Sequence, residues 1–276
     1  MPIKRILVTL GGTPFLDSEI ATAVALGRAH GAALTGMALI DPQKLAAVGP
    51  VPLGGGAAAA ELAAHRGQEA VIRMHVAAST FERSCKDAGV PCVLDFEEGS
   101  SIERLEMQWR THDLVVAGLR GVFEYGLVHD AQDMVLQIVE AGIRPILAVA
   151  LEPRRVERVM IASSGAHVSS AAMKQFATMA PYPDAEIDLV RFEDGGRPNA
   201  VPLDQERSYL EAHGYRVHVH TFPGPAESAL LTTAAELKAD LIVMGATHRR
   251  RLTRHLLGDT VLEALTASGV PLFLSQ

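Results

Sequence analysis

The hexapeptide Asp113-Leu114-Val115-Val116-Ala117-Gly118 recurs as Asp240-Leu241-Ile242-Val243-Met244-Gly245. Each copy is a short apolar run that ends in glycine and passes into a charged stretch. Each is followed by a second apolar run with a proline near its start: Ile143–Ala150 (IRPILAVA) and Gly269–Gln276 (GVPLFLSQ). A repeat of this kind has to be recognised before a fold is assigned, because one supersecondary plan then accounts for both halves of the chain. Short apolar runs bounded by turn formers and alternating with helical patterns predict buried parallel strands.

Outward from the first copy, the pattern predicts a strand at Ile3–Leu10 and a helix at Asp17–His30. Ile20, Ala23, Val24 and Leu26 share one side of that helix, and Gly31 caps it. A strand at Ala33–Ile40 follows, then a Pro- and Gly-rich loop at 43–56. A long Ala-rich helix runs from about Ala57 to Ala88, with Gly67 as a point of interruption. Strand Val90–Asp95, helix Ser100–Thr111, the repeated strand, helix Ala131–Ala141 and strand Ile143–Ala150 complete the half. The second half repeats the order. Its strands are Val156–Ser163, Ala185–Phe192, Arg216–Phe222, Asp240–Gly245 and Val270–Leu274. Its helices are Val168–Met179, one ending near His213, Ala226–Lys238 and Thr260–Ser268.

The expected fold class is therefore α/β: two tandem doubly wound, Rossmann-like domains, each with a five-stranded parallel sheet. The domains are placed at residues 1–151 and 155–276, joined through Glu152-Pro153-Arg154-Arg155. The copies also locate an insertion. Arg5-Ile6-Leu7 matches Arg158-Val159-Met160 at an offset of 153, whereas Asp113 matches Asp240 at 127, so the first half carries 26 extra residues. Residues 43–70 are the natural place. The insert reads as an elongated crossover helix that packs, with a lid or partner surface as the alternative.

Bulk properties narrow the function. The chain has 276 residues, 48% of them hydrophobic but only 5% aromatic, and a formal charge of −7. An acidic balance argues against a dedicated binder of nucleic acid or of an anionic membrane. No apolar run approaches the roughly 18 residues of a membrane span, and the N-terminal apolar stretch breaks at Gly11-Gly12-Thr13-Pro14, too short for a signal core. Two cysteines make neither a metal spacing nor a disulfide framework, and a reducing cytoplasm is the simplest home. Cys85 and Cys92 flank a helix-to-strand turn. Free core thiols are the simpler reading and a redox pair the other. His218 and His220 alternate along a strand and so share a face. Two ligands are too few for a closed zinc site.

Chemistry concentrates after the second copy. In open α/β sheets ligands sit beyond the carboxyl ends of the strands. A glycine there lets backbone approach a ligand, and the next helix N-terminus offers free N–H groups to an anion. The stretch reads Gly245-Ala246-Thr247-His248-Arg249-Arg250-Arg251, with Arg254 and His255, then Gly258-Asp259-Thr260. A basic loop before a helix start suits phosphate. A solvated loop pairing with surface acids is the other reading. The loop Ser163-Ser164-Gly165-Ala166 after the first strand of this half offers hydroxyls to a ligand or, more simply, to the following helix as caps.

These motifs resemble the universal stress protein family in its tandem form, and the resemblance covers essentially the whole chain. The family pattern is Gly, two residues, Gly, nine residues, Gly, then Ser or Thr. In the second half Gly245 and Gly258 match at the right interval. His248 replaces the middle glycine, and Asp259 stands at the hydroxyl position with Thr260 beside it. In the first half Gly118 and Gly121 match, while Ala131 and Gln132 depart. The Asp that follows the first strand in nucleotide-binding members is Gly11 in one half and Ser164 in the other. The resemblance implies that the last strands of the halves, Leu147–Val149 and Leu272–Leu274, lie together as a pseudo-dimer. It also implies that the tandem chain associates again as a homodimer. It further implies a cytoplasmic stress-response protein that binds ATP or another adenine nucleotide, mainly in the second half. Gly245, Thr247, Gly258, Asp259 and Thr260 would provide close contacts. His248, Arg249 and Arg250 would face phosphate, and Ser164 would stand near the ribose. Gly118 and Gly121 would serve a first-half site. Mg2+ enters only with a nucleotide. Regulation through an unidentified protein partner fits better than fast catalysis. A weak metal-dependent ATP hydrolase and a non-nucleotide interaction protein with degenerate sites are the alternatives.

Overall fold

The structure, a computed structural model, describes residues 3–41, 55–119, 138, 141–143, 145–193, 201–246 and 259–275. The first half contributes strands β1 (Arg5–Thr9), β2 (Ala33–Ile40), β3 (Cys92–Glu98), β4 (Leu114–Gly118) and β5 (Ile146–Val149). Its helices are α1 (Leu16–His30), α2 (Gly56–Ala88) and α3 (Ser101–Trp109). The second half contributes β6 (Arg158–Ala162), β7 (Glu186–Glu193), β8 (Arg216–Pro223), β9 (Leu241–Gly245) and β10 (Leu272–Ser275). Its helices are α4 (His167–Met179), α5 (Leu203–Ala212), α6 (Ala226–Glu236) and α7 (Asp259–Ala267). The expected loop at 43–56 and helix at 131–141 lie almost wholly outside the described residues.

The two five-stranded sheets are one. The order is β3-β2-β1-β4-β5-β10-β9-β6-β7-β8, parallel within each half and antiparallel only at the join. There Leu272 faces Ala148, Phe273 faces Leu147 and Leu274 faces Ile146. All six residues are buried, so each strand closes what would otherwise be the apolar edge of its partner's sheet. Phe273 meets Phe176 of α4 edge-on, with ring centroids 5.4 Å apart, and Phe176 leans on Tyr215. The buried apolar residues of both halves form one continuous cluster.

The repeated hexapeptide owes its first residue to a bond that the repeat performs twice. Asp113 Oδ2 accepts the backbone N–H groups of Lys4 and Arg5 at 2.8 and 2.9 Å. Asp240 Oδ2 accepts those of Glu157 and Arg158 at 3.0 Å each. Each carboxylate thereby ties the start of the fourth strand to the start of the first, which neighbours it in the sheet. The prolines are duplicated for a related reason. Pro145 and Pro271 precede the last strands, where a missing N–H is harmless, and their carbonyls accept Val115 N–H and Ile242 N–H.

Strand pairing places the insertion. Leu34 pairs with Cys92, 58 residues on, whereas the equivalent Ile187 pairs with Val217, 30 residues on. The extra chain therefore lies between β2 and β3 and includes α2, which runs through Gly67 without interruption. A Cβ on Gly67 would meet nothing, so that glycine costs helix propensity and no more. Its sheetward face begins at Ala70 and continues through Met74, Ala77, Phe81 and Cys85. Gly36 of β2 leaves room for Phe81, whose ring lies 2.7 Å from where a Cβ would stand. Among the described residues no helix is long and apolar enough to cross a membrane.

Replacing Asp240 by Ala should cost about 1–3 kcal/mol, since two strand-end N–H groups lose a charged acceptor. A urea unfolding midpoint unchanged from wild type would show that the paired bonds carry no stability.

Candidate functional site

Strand order reverses between β1 and β4 and again between β6 and β9. Beyond the carboxyl ends of those pairs lie the two crevices where this architecture receives ligands. In the second half the crevice is framed by the loop after β6 (Ser163–Ala166), by Gly245 and Ala246 at the end of β9, and by the start of α7 at Asp259. Thr247, His248, Arg249, Arg250 and Gly258 fall between the last two, outside the described residues, as does the side chain of Asp259. Thr260 is half-buried in the first turn of α7.

The crevice floor holds a buried polar network that sequence reading does not find. Glu206 of α5 is only 2% exposed. Its carboxylate accepts Ser163 Oγ at 2.6 Å, Ser170 Oγ at 3.1 Å and Arg191 Nη2 at 2.9 Å. Arg191 of β7 also reaches the Ser163 carbonyl at 3.4 Å. Val201 N–H donates to the Gly165 carbonyl, which seats the entry to α5 over the β6 loop. A buried carboxylate is tolerable when its lone pairs are filled in this way, and removing one partner would leave an uncompensated charge. Ser164 spends its hydroxyl inside the loop. It lies 3.1 Å from Ser169 Oγ and accepts Ala166 N–H at 3.4 Å, while Ser169 Oγ accepts Ser164 N–H. The expected helix-capping role is not what these serines perform: Ala166 stands at the N-cap of α4 without a side-chain cap, the Ser163 and Ser164 hydroxyls close the loop itself, and the ribose-facing role of Ser164 would require that pairing to open.

Gly245 also has a local explanation. A Cβ built there would lie 2.7 Å from both Val168 Cγ1 and the Val168 carbonyl oxygen. The direction its side chain would take is filled by α4, so this glycine permits a helix to lie close on a strand end. The outer face of the half-sheet carries charges of its own. Asp188 of β7 is fully buried and accepts Arg158 Nε at 2.6 Å and His220 Nε2 at 2.8 Å. Burial alone would raise its pKa, but the hydrogen bonds and charges of Arg158 and His220 outweigh it and hold the carboxyl below the ordinary value. His218, more exposed, lies 3.9 Å from Glu186. The shared face expected for the two histidines thus sets each of them against a carboxylate.

The first-half crevice differs in one residue above all. Helices α1 and α4 end in left-handed caps at Gly31 and Ala180, and counting back from those caps pairs Glu19 with Val168. Where the second half packs a valine against Gly245, the first half buries a carboxyl beside Gly118. Glu19 is wholly buried, and neither oxygen finds a hydrogen-bond partner. Burial pushes its pKa well above the ordinary carboxylate range. The nearby Gly118 N–H pulls the other way more weakly, without the geometry of a full hydrogen bond. Thr9, Thr13 and Ser18 are buried alongside it in sequence. Gly118 ends β4 as expected, whereas Gly121 lies outside the described residues.

The relationships of the chain are consistent with this geometry. Residues 155–274 match the family model of the universal stress proteins. The second half of the chain belongs to the universal stress protein family. A universal stress protein of Synechocystis is 22% identical over 200 residues, covering 70% of this chain and 68% of that protein. The crystal structure of a universal stress protein from Archaeoglobus fulgidus superposes with a TM-score of 0.64 at 17% identity, covering 99% of this chain and 96% of that one. A functionally unknown protein from Pseudomonas aeruginosa gives 0.63 at 12% identity, covering 99% and 92%. These structures share the fold over both halves of the chain, so the first half carries the universal stress protein architecture as well.

Two substitutions test the contrast between the crevices. Gly245→Ala should destabilise by about 1–3 kcal/mol, because backbone as well as side chain must give way; an unshifted urea midpoint would show that α4 moves freely. Glu19 is neutral in both states below the unfolded carboxyl value. As pH rises through that value only the unfolded chain ionises, so stability falls by about 1.4 kcal/mol per pH unit until the raised folded value is reached. Glu19→Gln should flatten this decline just above the ordinary carboxylate range in urea titrations. Equal slopes for variant and wild type would mean that Glu19 ionises freely in the folded protein.

Proposed function

We propose that the chain is a stress-response regulator whose second half binds a phosphorylated ligand, with an adenine nucleotide as the first candidate. The observation that carries this reading is the framing of one basic stretch. It leaves β9 at Gly245, beside the strand-order reversal, and enters α7 at Asp259, a helix N-terminus. Between them stand His248, Arg249, Arg250 and Gly258. Backbone N–H groups at the start of α7 and the Thr260 hydroxyl receive phosphate oxygens, and Arg249 and Arg250 neutralise their charge. Asp259 tolerates a phosphate only across a divalent cation, so Mg2+ accompanies a nucleotide with a terminal phosphate there. Binding alters the surface that a protein partner reads. The protein acts in the cytoplasm, as a homodimer of tandem chains divided near residues 151–155.

The Ser163–Arg191–Glu206 network favours a second reading. It fills the crevice beside the end of β6, and a self-satisfied buried ion pair has no need of a ligand. On that reading the protein works through its surfaces and takes no nucleotide.

Calorimetry with ATP, ADP and AMP, with and without Mg2+, separates the two. The first reading expects heat of binding that falls at least about tenfold in affinity in the Arg249→Ala/Arg250→Ala variant, a loss of about 1.4 kcal/mol. Ligand at 100 times its dissociation constant should also add about 2.7 kcal/mol to stability. A melting curve unmoved by millimolar ATP and Mg2+, together with no heat from any nucleotide, would leave the second reading standing.

A further inference from the structure

The two cysteines stand at either end of one tight corner. Cys85 lies in the last turn of α2 and is wholly buried; Cys92 opens β3 and is partly exposed. The corner between them is fixed by its own backbone. Gly89 takes the left-handed conformation that ends the helix, and its N–H donates to the Lys86 carbonyl at 3.1 Å. Val90 N–H donates to the Cys85 carbonyl at 2.9 Å, and the Pro91 carbonyl accepts Leu34 N–H at 2.9 Å. Cys85 belongs to the buried core under α2, and Cys92 packs against that core from the start of β3, so both side chains lie in the layer between helix and sheet. Cys92 is also reached from outside. It lines an open groove of about 560 Å³ with Ser79, Glu82, Arg83, Lys86 and Asp87.

We propose that Cys85 and Cys92 form a reversible dithiol site oxidised by hydrogen peroxide, whose disulfide staples the end of α2 to the edge strand β3. The order of events follows from exposure. The Cys92 sulfur, in a groove lined by Arg83 and Lys86 and by Glu82 and Asp87, gives up its proton, attacks one peroxide oxygen and breaks the O–O bond. Cys92 becomes a sulfenic acid, and the other oxygen leaves as water after taking up a proton. The Cys85 sulfur then attacks the Cys92 sulfur. The S–S bond forms and the sulfenic oxygen departs as a second water, carrying the Cys85 proton. Two thiols are oxidised by two electrons and one peroxide is reduced to two waters. Cys85 cannot begin the sequence, because burial first, then the hydrogen bond and charge of Cys92, then the charge of Glu82, push its thiol up to about 12.

The site has a structural consequence that a surface thiol lacks. β3 is an end strand of the ten-stranded sheet, and α2 is the helix that the first half has in place of the shorter second-half crossover. A covalent bond at this corner fixes the carboxyl end of α2 to that strand and slows its local opening.

The test uses the whole chain. Protein treated with hydrogen peroxide, quenched, denatured and alkylated should lose both alkylatable thiols and the mass of two hydrogen atoms. It should remain a single chain on a non-reducing gel, and dithiothreitol should restore both thiols. In Cys85→Ser, dimedone should trap a sulfenic acid at Cys92; in Cys92→Ser, Cys85 should stay reduced under the same dose. Wild-type thiols that still alkylate fully, oxidation confined to Cys92, or a disulfide that joins two chains would each overturn the proposal. The wild-type measurement decides it even if a variant fails to fold.

Discussion

An antiparallel pair of four-residue strands, β5 against β10, is the contact on which the architecture depends. Each strand is fully apolar at the pairing positions and each is the last strand of its half. Left unpaired, either would present an exposed row of backbone donors and acceptors on a hydrophobic strand, the usual template for aggregation. Pairing them consumes both edges at once and lets one core run from α1 to α7. Phe273 makes the join specific as well as dry, since its ring meets α4 of its own half while its backbone bonds to the other.

Most of this plan was legible in the chain, because strand length, apolar runs and the duplicated hexapeptide are local signals. All ten strands stand within a few residues of where alternation and turn formers put them, and the insertion lies where the unequal offsets of the two copies require it. The polar interior was less legible. Arg191 and Glu206 come from a strand and a helix in separate segments, and nothing in either segment announces that they meet. Glu19 did leave a signal. It precedes Ala23 by four residues and Leu26 by seven, which sets a carboxyl on the apolar stripe of α1. That spacing could have marked a buried acid, which the sequence reading passed over; it could not have marked the missing partner, which depends on the fold around Gly118. The role of Gly245 was hidden for the same reason. A motif glycine reads equally as a ligand-facing or a helix-facing residue until the helix is in place.

The duplicated halves each bury a carboxyl, at positions that do not correspond and in opposite ways. In the second half a carboxylate is buried at full satisfaction, held by two hydroxyls and a guanidinium. In the first half a carboxyl is buried with no partner and is driven toward its neutral form. Low dielectric makes the first arrangement rigid and the second costly. The symmetric frame is therefore carried by residues that repeat, Asp113 with Asp240 and Pro145 with Pro271. The crevices differ at positions outside those repeats, as where Glu19 of one half corresponds to Val168 of the other.

The antiparallel join also sets a direction. Since strands run one way in the first half and the reverse in the second, the carboxyl rims of the two halves look out from opposite borders of the molecule. No single small molecule can bridge them, and a protein that docks over one rim is turned away from the other. A visitor at one rim would therefore stand apart from a visitor at the other, and any conversation between them would have to pass through the shared interior.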